Sequence, residues 1–242
     1  MTNRILAALD VPDARTALAM VDRLRGAVGG FKVGKQLFTA EGPALVRELA
    51  ARGDRVFLDL KFHDIPNTVA GAIESACGLG VWMVNVHASG GRAMMSAARD
   101  AADRAAEKSG TRTLVIAVTV LTSLDAEALR ETGAGDDPPR QVERLALLAR
   151  DAGLDGVVCS PQEIELVRKA CGPAFAIVTP GIRGASDAKG DQQRTATPAG
   201  ALKAGADYLV IGRPITAAAD PRAAAEAIGR DMTSADGARP TA

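Results

Sequence analysis

Four charged or titratable side chains stand within six positions, directly after a short apolar run at 56–58. They are Asp59, Lys61, His63 and Asp64. Because side chains on a β-strand alternate between the two faces of the sheet, Asp59 and Lys61 would point the same way. A carboxylate beside an ammonium at the carboxyl end of a buried strand is typical of a catalytic site. The alternative is a charged transition from strand to loop that is exposed to solvent.

The same stretch continues into a turn and the start of a helix. Pro66 has a fixed φ and no N–H to donate, so it suits the first turn of a helix. Asp64 would therefore lie on the turn before this helix, and Thr68 in its first turn.

Eight short apolar runs, alternating with amphipathic Ala-rich segments, must position these residues. The predicted strands are 5–9, 31–34, 56–61, 82–87, 114–120, 156–160, 176–180 and 208–212. The predicted helices are 14–27, 42–52, 69–79, 92–108, 140–152, 161–170, 198–204 and 215–228. Eight strand–helix units in 242 residues favour an α/β fold, a single (β/α)8 TIM barrel over 1–231, which takes ~250 residues. A doubly wound open sheet is the alternative, and the polar segment 232–242 is expected to be a disordered tail.

The composition excludes several classes of function. Lys plus Arg and Asp plus Glu balance at 29 each, and no basic run is present, so we expect no nucleic-acid binding. No apolar stretch is long enough to cross a membrane, and the first ten residues have too few apolar positions for a signal peptide. The three scattered cysteines form no CxxC pair, which predicts a reducing, cytoplasmic location.

In a TIM barrel, catalytic groups cluster at the carboxyl ends of the strands. Polar or glycine residues recur at those predicted ends: Asp10, Lys32, Asp59, Lys61, His87, Thr122, Arg183, Gly212 and Arg213. This recurrence predicts an enzyme.

Lys32 lies inside an apolar strand, where an unpaired ammonium would be costly. We therefore expect it to pair with Asp59 on the neighbouring strand. Asp10 could accept hydrogen bonds from sugar hydroxyls, or it could cap a helix, although Asp13 is better placed for that. A divalent metal here would meet the charges of Lys32 and Lys61, so no metal is predicted.

The residues Gly212 and Arg213 stand where barrels commonly bind phosphate, after the last strand and at a helix start. Arg183 could add charge-assisted hydrogen bonds from the strand before it. The Gly-, Ser- and Asp-rich segment 183–194 is either a lid over that site or an ordinary surface loop. Gln192 could bridge a phosphate and a polar ring, and the neighbouring Gln193 could do the same.

These motifs together resemble the orotidine 5′-phosphate decarboxylase family, in its bacterial branch. The resemblance covers nearly the whole chain through ALD at 8–10, FKVG, LDLKFHDIPNT, VTVLTS, TPGIR, GDQQR and VIGRPI. It implies a decarboxylase that converts orotidine 5′-phosphate to UMP without a cofactor.

The resemblance also implies a role for each matching residue. Lys61 would protonate C6 of the pyrimidine, and Asp59 would lie near the departing carboxylate. Lys32 would hold Asp59 and a ribose hydroxyl. The remaining substrate contacts would come from Asp10 to the ribose, Thr122 to the pyrimidine amide, and Arg183, Gln192, Gly212 and Arg213 to the phosphate.

A homodimer is implied as well, with Asp64 and Thr68 reaching into the site of the neighbouring subunit. Two other functions stay open. One is a Mg²⁺-dependent sugar-phosphate decarboxylase or synthase of the same superfamily, which needs an acidic residue where Lys32 stands. The other is a non-catalytic barrel that binds phosphate.

Overall fold

The computed structural model describes residues 3–182 and 196–236 and shows eight parallel strands in a closed barrel. Each strand pairs with the next along the chain, and the eighth pairs with the first. The strands are β1 Ile5–Ala8, β2 Gly30–Gly34, β3 Val56–Phe62, β4 Met83–His87, β5 Leu114–Val118, β6 Gly156–Val158, β7 Ala176–Thr179 and β8 Tyr208–Ile211. The (β/α)8 barrel predicted from the sequence is confirmed.

The helices surround the strands. They are α1 Ala14–Leu24, α2 Lys35–Ala51, α3 Pro66–Cys77, α4 Gly91–Ser109, α5 Ala126–Glu131, α6 Pro138–Asp151, α7 Ile164–Cys171, α8 Pro198–Ala204, α9 Arg213–Thr216 and α10 Pro221–Asp236. Asp13 caps α1 as predicted, because its Oδ1 accepts the N–H of Thr16 at 2.8 Å. Within the described residues, none of these helices is both long and apolar enough to span a bilayer.

One predicted helix boundary is wrong, and one short helix was missed. The helix predicted at 42–52 begins earlier, at Lys35, and Gly42 interrupts it with φ 66°. Gly adopts this left-handed conformation without steric cost and Pro43 then starts the second segment, so the pair produces a kink. The short helix α5 was not predicted at all, although Asp125 caps it through the N–H of Ala128.

The last predicted helix, 215–228, is also wrong, because the chain forms α9 and α10 with a break between them. Asp220 stands before Pro221 and accepts the backbone N–H groups of Arg222 and Ala223, which starts α10 anew. The helix runs to Asp236, and the side chain of Met232 is buried. Met232 therefore belongs to the barrel's last helix rather than to the predicted tail.

The barrel interior is filled at its amino-terminal half and becomes polar towards the carboxyl ends of the strands. An inner cluster forms an apolar floor of Leu6, Phe57, Met83, Ile116 and Val178. Two residues further along each strand the side chain again points inward, and at these positions β3 and β4 carry the polar residues Asp59 and Asn85. The floor therefore fixes the inward direction of the polar groups above it.

The amino-terminal ends of the strands are joined by buried or half-buried ion pairs. Asp155 accepts the N–H of Val115 at 2.7 Å and pairs with Arg99 at 2.6 Å. Asp207 repeats this arrangement, accepting the N–H of Ile177 at 2.8 Å and pairing with Arg168 at 2.6 Å. Stabilising contacts at this end leave the opposite end available for chemistry.

Candidate active site

A cavity of about 500 Å³ opens at the carboxyl end of the barrel. Among the described residues, its lining includes seven residues that the sequence predicted for the site: Asp10, Lys32, Asp59, Lys61, Thr122, Gly212 and Arg213. Phe57, Val118, Val158 and Val210 form an apolar part of the wall. A concave pocket of this size with a few convergent polar groups suits a small-molecule ligand.

Four of the lining side chains form a line of alternating charges. Asp10 Oδ1 lies 3.0 Å from Lys32 Nζ, and the same nitrogen lies 3.5 Å from Asp59 Oδ2. The other carboxylate oxygen of Asp59, Oδ1, lies 2.5 Å from Lys61 Nζ. The predicted pairing of Lys32 with Asp59 is thus observed, and Asp10 adds a shorter contact that the sequence did not predict. We call these four residues the charge chain.

Two members of the charge chain are largely buried, so their protonation depends on the charged groups next to them. The side chains of Lys32 and Asp59 are 10% and 12% exposed, against 60% for Asp10 at the cavity mouth. Burial alone would raise the pKa of Asp59. The charges of Lys32 and Lys61, together with hydrogen bonds from Lys61 and Asn85, outweigh burial and hold the pKa of Asp59 below its ordinary value. Asp59 is therefore a carboxylate at neutral pH.

Lys61 reaches Asp59 from an irregular backbone. Its φ of 54° makes it the one non-glycine residue with positive φ among the described residues. The pairing of β3 with β4 shifts register between Leu58 and Phe62. The sequence predicted the shared direction of Asp59 and Lys61 from regular alternation, whereas the structure achieves it through this local distortion.

Asn85 is a site residue that the sequence analysis missed. Its side chain is fully buried on β4 and bonds to both Asp59 and Lys61. Oδ1 accepts the backbone N–H of Lys61 at 2.8 Å, and Nδ2 donates to Asp59 Oδ1 at 2.7 Å. A signal was present in the sequence, because an Asn inside the apolar run VWMVNV needs a buried hydrogen-bond partner.

Comparison with known proteins identifies the family. A family model described as "Orotidine 5'-phosphate decarboxylase / HUMPS family" matches residues 3–228. The chain belongs to this family. Curated relatives named orotidine 5′-phosphate decarboxylase include one from Moorella thermoacetica, 59% identical over 95% of this chain and 92% of the relative. Another, from Chromobacterium violaceum, is 57% identical over 96% of this chain and 92% of the relative.

Solved structures support the same assignment. A crystal structure of orotidine 5′-phosphate decarboxylase from Lactobacillus acidophilus matches with a TM-score of 0.85 and 36% identity, over 95% of this chain and 99% of that one. An uncharacterized conserved protein from Geobacillus kaustophilus matches with a TM-score of 0.82 and 39% identity, over 94% of this chain and 99% of that one. Both likenesses extend over the whole barrel rather than one part of it.

Some residues that the family resemblance assigns to the site do not line the cavity within this one chain. Asp64 and Thr68 are exposed, and Asp64 Oδ1 accepts the N–H of Ile65 at 2.6 Å. Arg183, Gln192 and Gln193 lie outside the described residues, as does the predicted lid at 183–194. Within the described ranges, no three His, Cys, Asp or Glu side chains form a group that could hold a metal ion.

The two histidines, His63 and His87, stack on each other near Asp59 and Lys61, with ring centroids 5.6 Å apart. Burial is the main cause that lowers the pKa of His87 to about 4, and the nearby charges of His63 and Lys61 add to it. His87 is therefore neutral at pH 7.

Gly34 gives the charge chain the space that it occupies. A Cβ at this position would lie 2.9 Å from Lys32 Nζ and 3.3 Å from Asp10 Oδ1. The backbone, with φ −93° and ψ −179°, is one that alanine adopts readily. Any effect of adding a methyl group would therefore come from the displaced ammonium and not from backbone strain.

Gly34→Ala should lower turnover of the substrate implied by the family by about 10²-fold, because the Lys32 ammonium must move and misplacements near 1 Å have that effect. Steady-state kinetics and the melting temperature of the variant provide the measurement. Gly229→Ala is the matched control, since a Cβ there meets no atom within 4 Å. Wild-type kinetics in Gly34→Ala would show that Lys32 tolerates the crowding.

His87→Gln should flatten the pH dependence of stability on the acid side. As pH falls from 6.5 to about 4, the unfolded chain binds a proton at this histidine and the folded protein does not. The free energy of unfolding of the wild type should therefore decrease over this window by more than that of the variant. Urea unfolding at several pH values measures both slopes, and equal slopes would contradict the lowered pKa.

Proposed function

We propose that this chain catalyses the decarboxylation of orotidine 5′-phosphate to UMP and CO₂. The observation that carries the proposal is the charge chain, which ends in the close Asp59–Lys61 pair inside the cavity. The relatives named above, at 57–59% identity over most of their length, support the same activity.

The chemistry requires a fixed positive charge. When the bond between C6 and the carboxylate breaks, the electron pair stays on C6, where no ring carbonyl can readily delocalise it. An ammonium already held in place stabilises this charge without reorganisation of solvent. Lys61 then transfers a proton to C6, which completes UMP. The electron pair never leaves the substrate, so the proposed reaction uses no cofactor.

Asp59 has two functions in this mechanism. As a buried carboxylate, it positions the Lys61 ammonium through the 2.5 Å contact. It would also lie against the carboxylate of the bound substrate and repel it, a contribution whose size is debated. Lys32 links Asp59 to Asp10, and from this position it would also donate to a ribose hydroxyl.

The two ends of the substrate would occupy opposite sides of the charge chain. Thr122 lines the cavity and would contact the pyrimidine amide. Gly212 and Arg213 would bind the phosphate. A Cβ at Gly212 would lie 3.8 Å from Asp10 Oδ2, so this glycine lies beside the proposed ribose contact. In the family pattern, Arg183 and Gln192 complete the phosphate grip.

A homodimer is part of the proposal. The segment 63–68 is exposed throughout and includes Ile65, a large apolar side chain that is 67% exposed. Leu121, also exposed, follows β5 at the same end of the barrel. A second copy of the chain covering this surface would bury Ile65 and bring Asp64 and Thr68 to the neighbouring cavity. None of the three cysteines, all within the described residues, forms a disulfide bond, which fits action in a reducing compartment, the cytoplasm.

The position of Lys32 argues against the Mg²⁺-dependent reactions of the same superfamily. Its ammonium lies between the carboxylates of Asp10 and Asp59, where a divalent cation would be repelled. The direct test is the loss of orotidine 5′-phosphate absorbance on addition of EDTA-treated protein. Turnover supports the proposal. Absence of turnover with the folded protein would contradict it and favour a metal-dependent or non-catalytic barrel.

Lys61→Ala should lower kcat by more than about 10⁴-fold, because both electrostatic stabilisation and proton transfer are lost. Binding of UMP and the melting temperature should change little, since Lys61 is partly exposed to the cavity. Lys35→Ala is the matched control, because Lys35 is an exposed lysine just beyond β2. Turnover at the wild-type rate in Lys61→Ala would remove this residue from the mechanism.

Mixing Asp64→Ala with Lys61→Ala protein tests whether the site is shared between subunits. Each variant alone should be inactive. After subunit exchange the mixture should recover about one quarter of wild-type turnover, because about half of the dimers are mixed and each has one intact site. Two differently tagged chains would verify the exchange. No recovery after verified exchange would place Asp64 in its own chain's site, and an active Asp64→Ala would deny it a role.

A further inference from the structure

The strand pairing next to the active site contains a length mismatch. Leu58 pairs with Val84 and Phe62 pairs with Val86, so β3 advances four residues while β4 advances two. The additional chain on β3 contains Asp59 and Lys61. The residue of β4 that faces this bulge is Asn85, which lies between the two paired positions.

Asn85 supplies through its side chain the hydrogen bonds that the interrupted ladder does not provide. Its Oδ1 accepts the Lys61 N–H at 2.8 Å, and its Nδ2 donates to Asp59 Oδ1 at 2.7 Å. The orientation of the amide follows from chemistry, because a backbone N–H can only donate and a carboxylate can only accept. Both ends of the buried amide therefore have a defined partner.

These two bonds act on Lys61 and Asp59 at different points. The first holds the backbone of Lys61 in its left-handed conformation, φ 54°, which sets the direction of the ammonium-bearing side chain. The second fixes the Asp59 oxygen that also lies 2.5 Å from Lys61 Nζ. Asn85 thereby links the backbone N–H of Lys61 to the Asp59 carboxylate, which also contacts the Lys61 ammonium.

We propose that Asn85 is a positioning residue for the decarboxylation, one that sets the geometry of Lys61 and Asp59 without touching the substrate. The inference rests on the function proposed above. Asn85 is 0% exposed and is not among the described residues that line the cavity. Its effect on turnover must therefore pass through its two partners.

The test compares Asn85→Leu with Thr113→Val. Thr113 is a buried polar residue just before β5, and its hydroxyl donates to the Val81 carbonyl at 2.9 Å, at the end of the barrel away from the site. Both substitutions remove buried hydrogen bonds and should lower the melting temperature. Asn85→Leu should also lower kcat by about 10²-fold while the dissociation constant of UMP stays within a few-fold of wild type. Thr113→Val should keep the wild-type kcat.

Asn85→Asp separates the two bonds and keeps the volume of the side chain. The introduced carboxyl can still accept the Lys61 N–H, but it can donate to Asp59 only when it is protonated. Two adjacent carboxyl groups share a proton with a raised apparent pKa. Turnover by this variant should therefore decrease with rising pH over a range where the wild type is constant, and it should recover towards acid pH.

Each result decides the inference. Wild-type kcat in Asn85→Leu, an equal loss of kcat in Thr113→Val, or a wild-type pH profile in Asn85→Asp would overturn it. If Asn85→Leu does not fold, the nearly isosteric Asn85→Asp supplies the pH profile on its own. A wild-type protein without turnover would overturn the proposed function and this inference together, whereas an active wild type with unaffected variants overturns only the inference.

Discussion

Holding an ammonium and a carboxylate together inside a barrel is the constraint on which the rest of this structure depends. An isolated buried charge is very costly, and a buried pair is tolerated only when its remaining hydrogen-bonding capacity is satisfied. The charge chain meets this condition by alternating sign from the exposed Asp10 to the buried Asp59 and on to Lys61. Asp59 contacts both ammonium groups, so the alternation of charge depends most on this carboxylate.

Neighbouring residues provide the space and the hydrogen bonds that the charge chain needs. Gly34 leaves space for the Lys32 ammonium, and Asn85 satisfies the backbone of Lys61 where the strand pairing is interrupted. A positive φ at a lysine costs of the order of 1–3 kcal/mol and persists only where the surroundings determine it. The apolar floor and the ion pairs at the amino-terminal strand ends stabilise the barrel independently of this strained segment.

The sequence predicted the parts of the site that depend on local pattern. The period of two predicted that Asp59 and Lys61 point the same way, which the structure achieves through a register shift. The cost of an unpaired ammonium predicted a partner for Lys32. Asn85 and Gly34 were missed because their importance comes from contacts between strands, which a single strand's sequence does not show. The register shift between β3 and β4 is likewise a property of the pair.

The helix boundaries also depend partly on local sequence and partly on tertiary packing. Asp220 and Pro221, a cap followed by a first-turn proline, are a signal for a helix start before α10. The sequence prediction of one helix at 215–228 did not use this signal. Burial of Met232 depends on packing against the barrel and could not be predicted from a segment of small polar residues. Local chemistry therefore predicted that charged residues such as Asp59 and Lys61 lie together, and tertiary packing determined how they are held.

The most direct measurement is a crystal structure of the protein with bound UMP, or with an analogue that carries negative charge at C6. We predict that Lys61 Nζ lies about 3–3.5 Å from C6, the separation expected for reacting atoms, with Asp59 on the side from which the carboxylate leaves. A Lys61 nitrogen well beyond that contact, or a metal ion between Asp10 and Asp59, would contradict it.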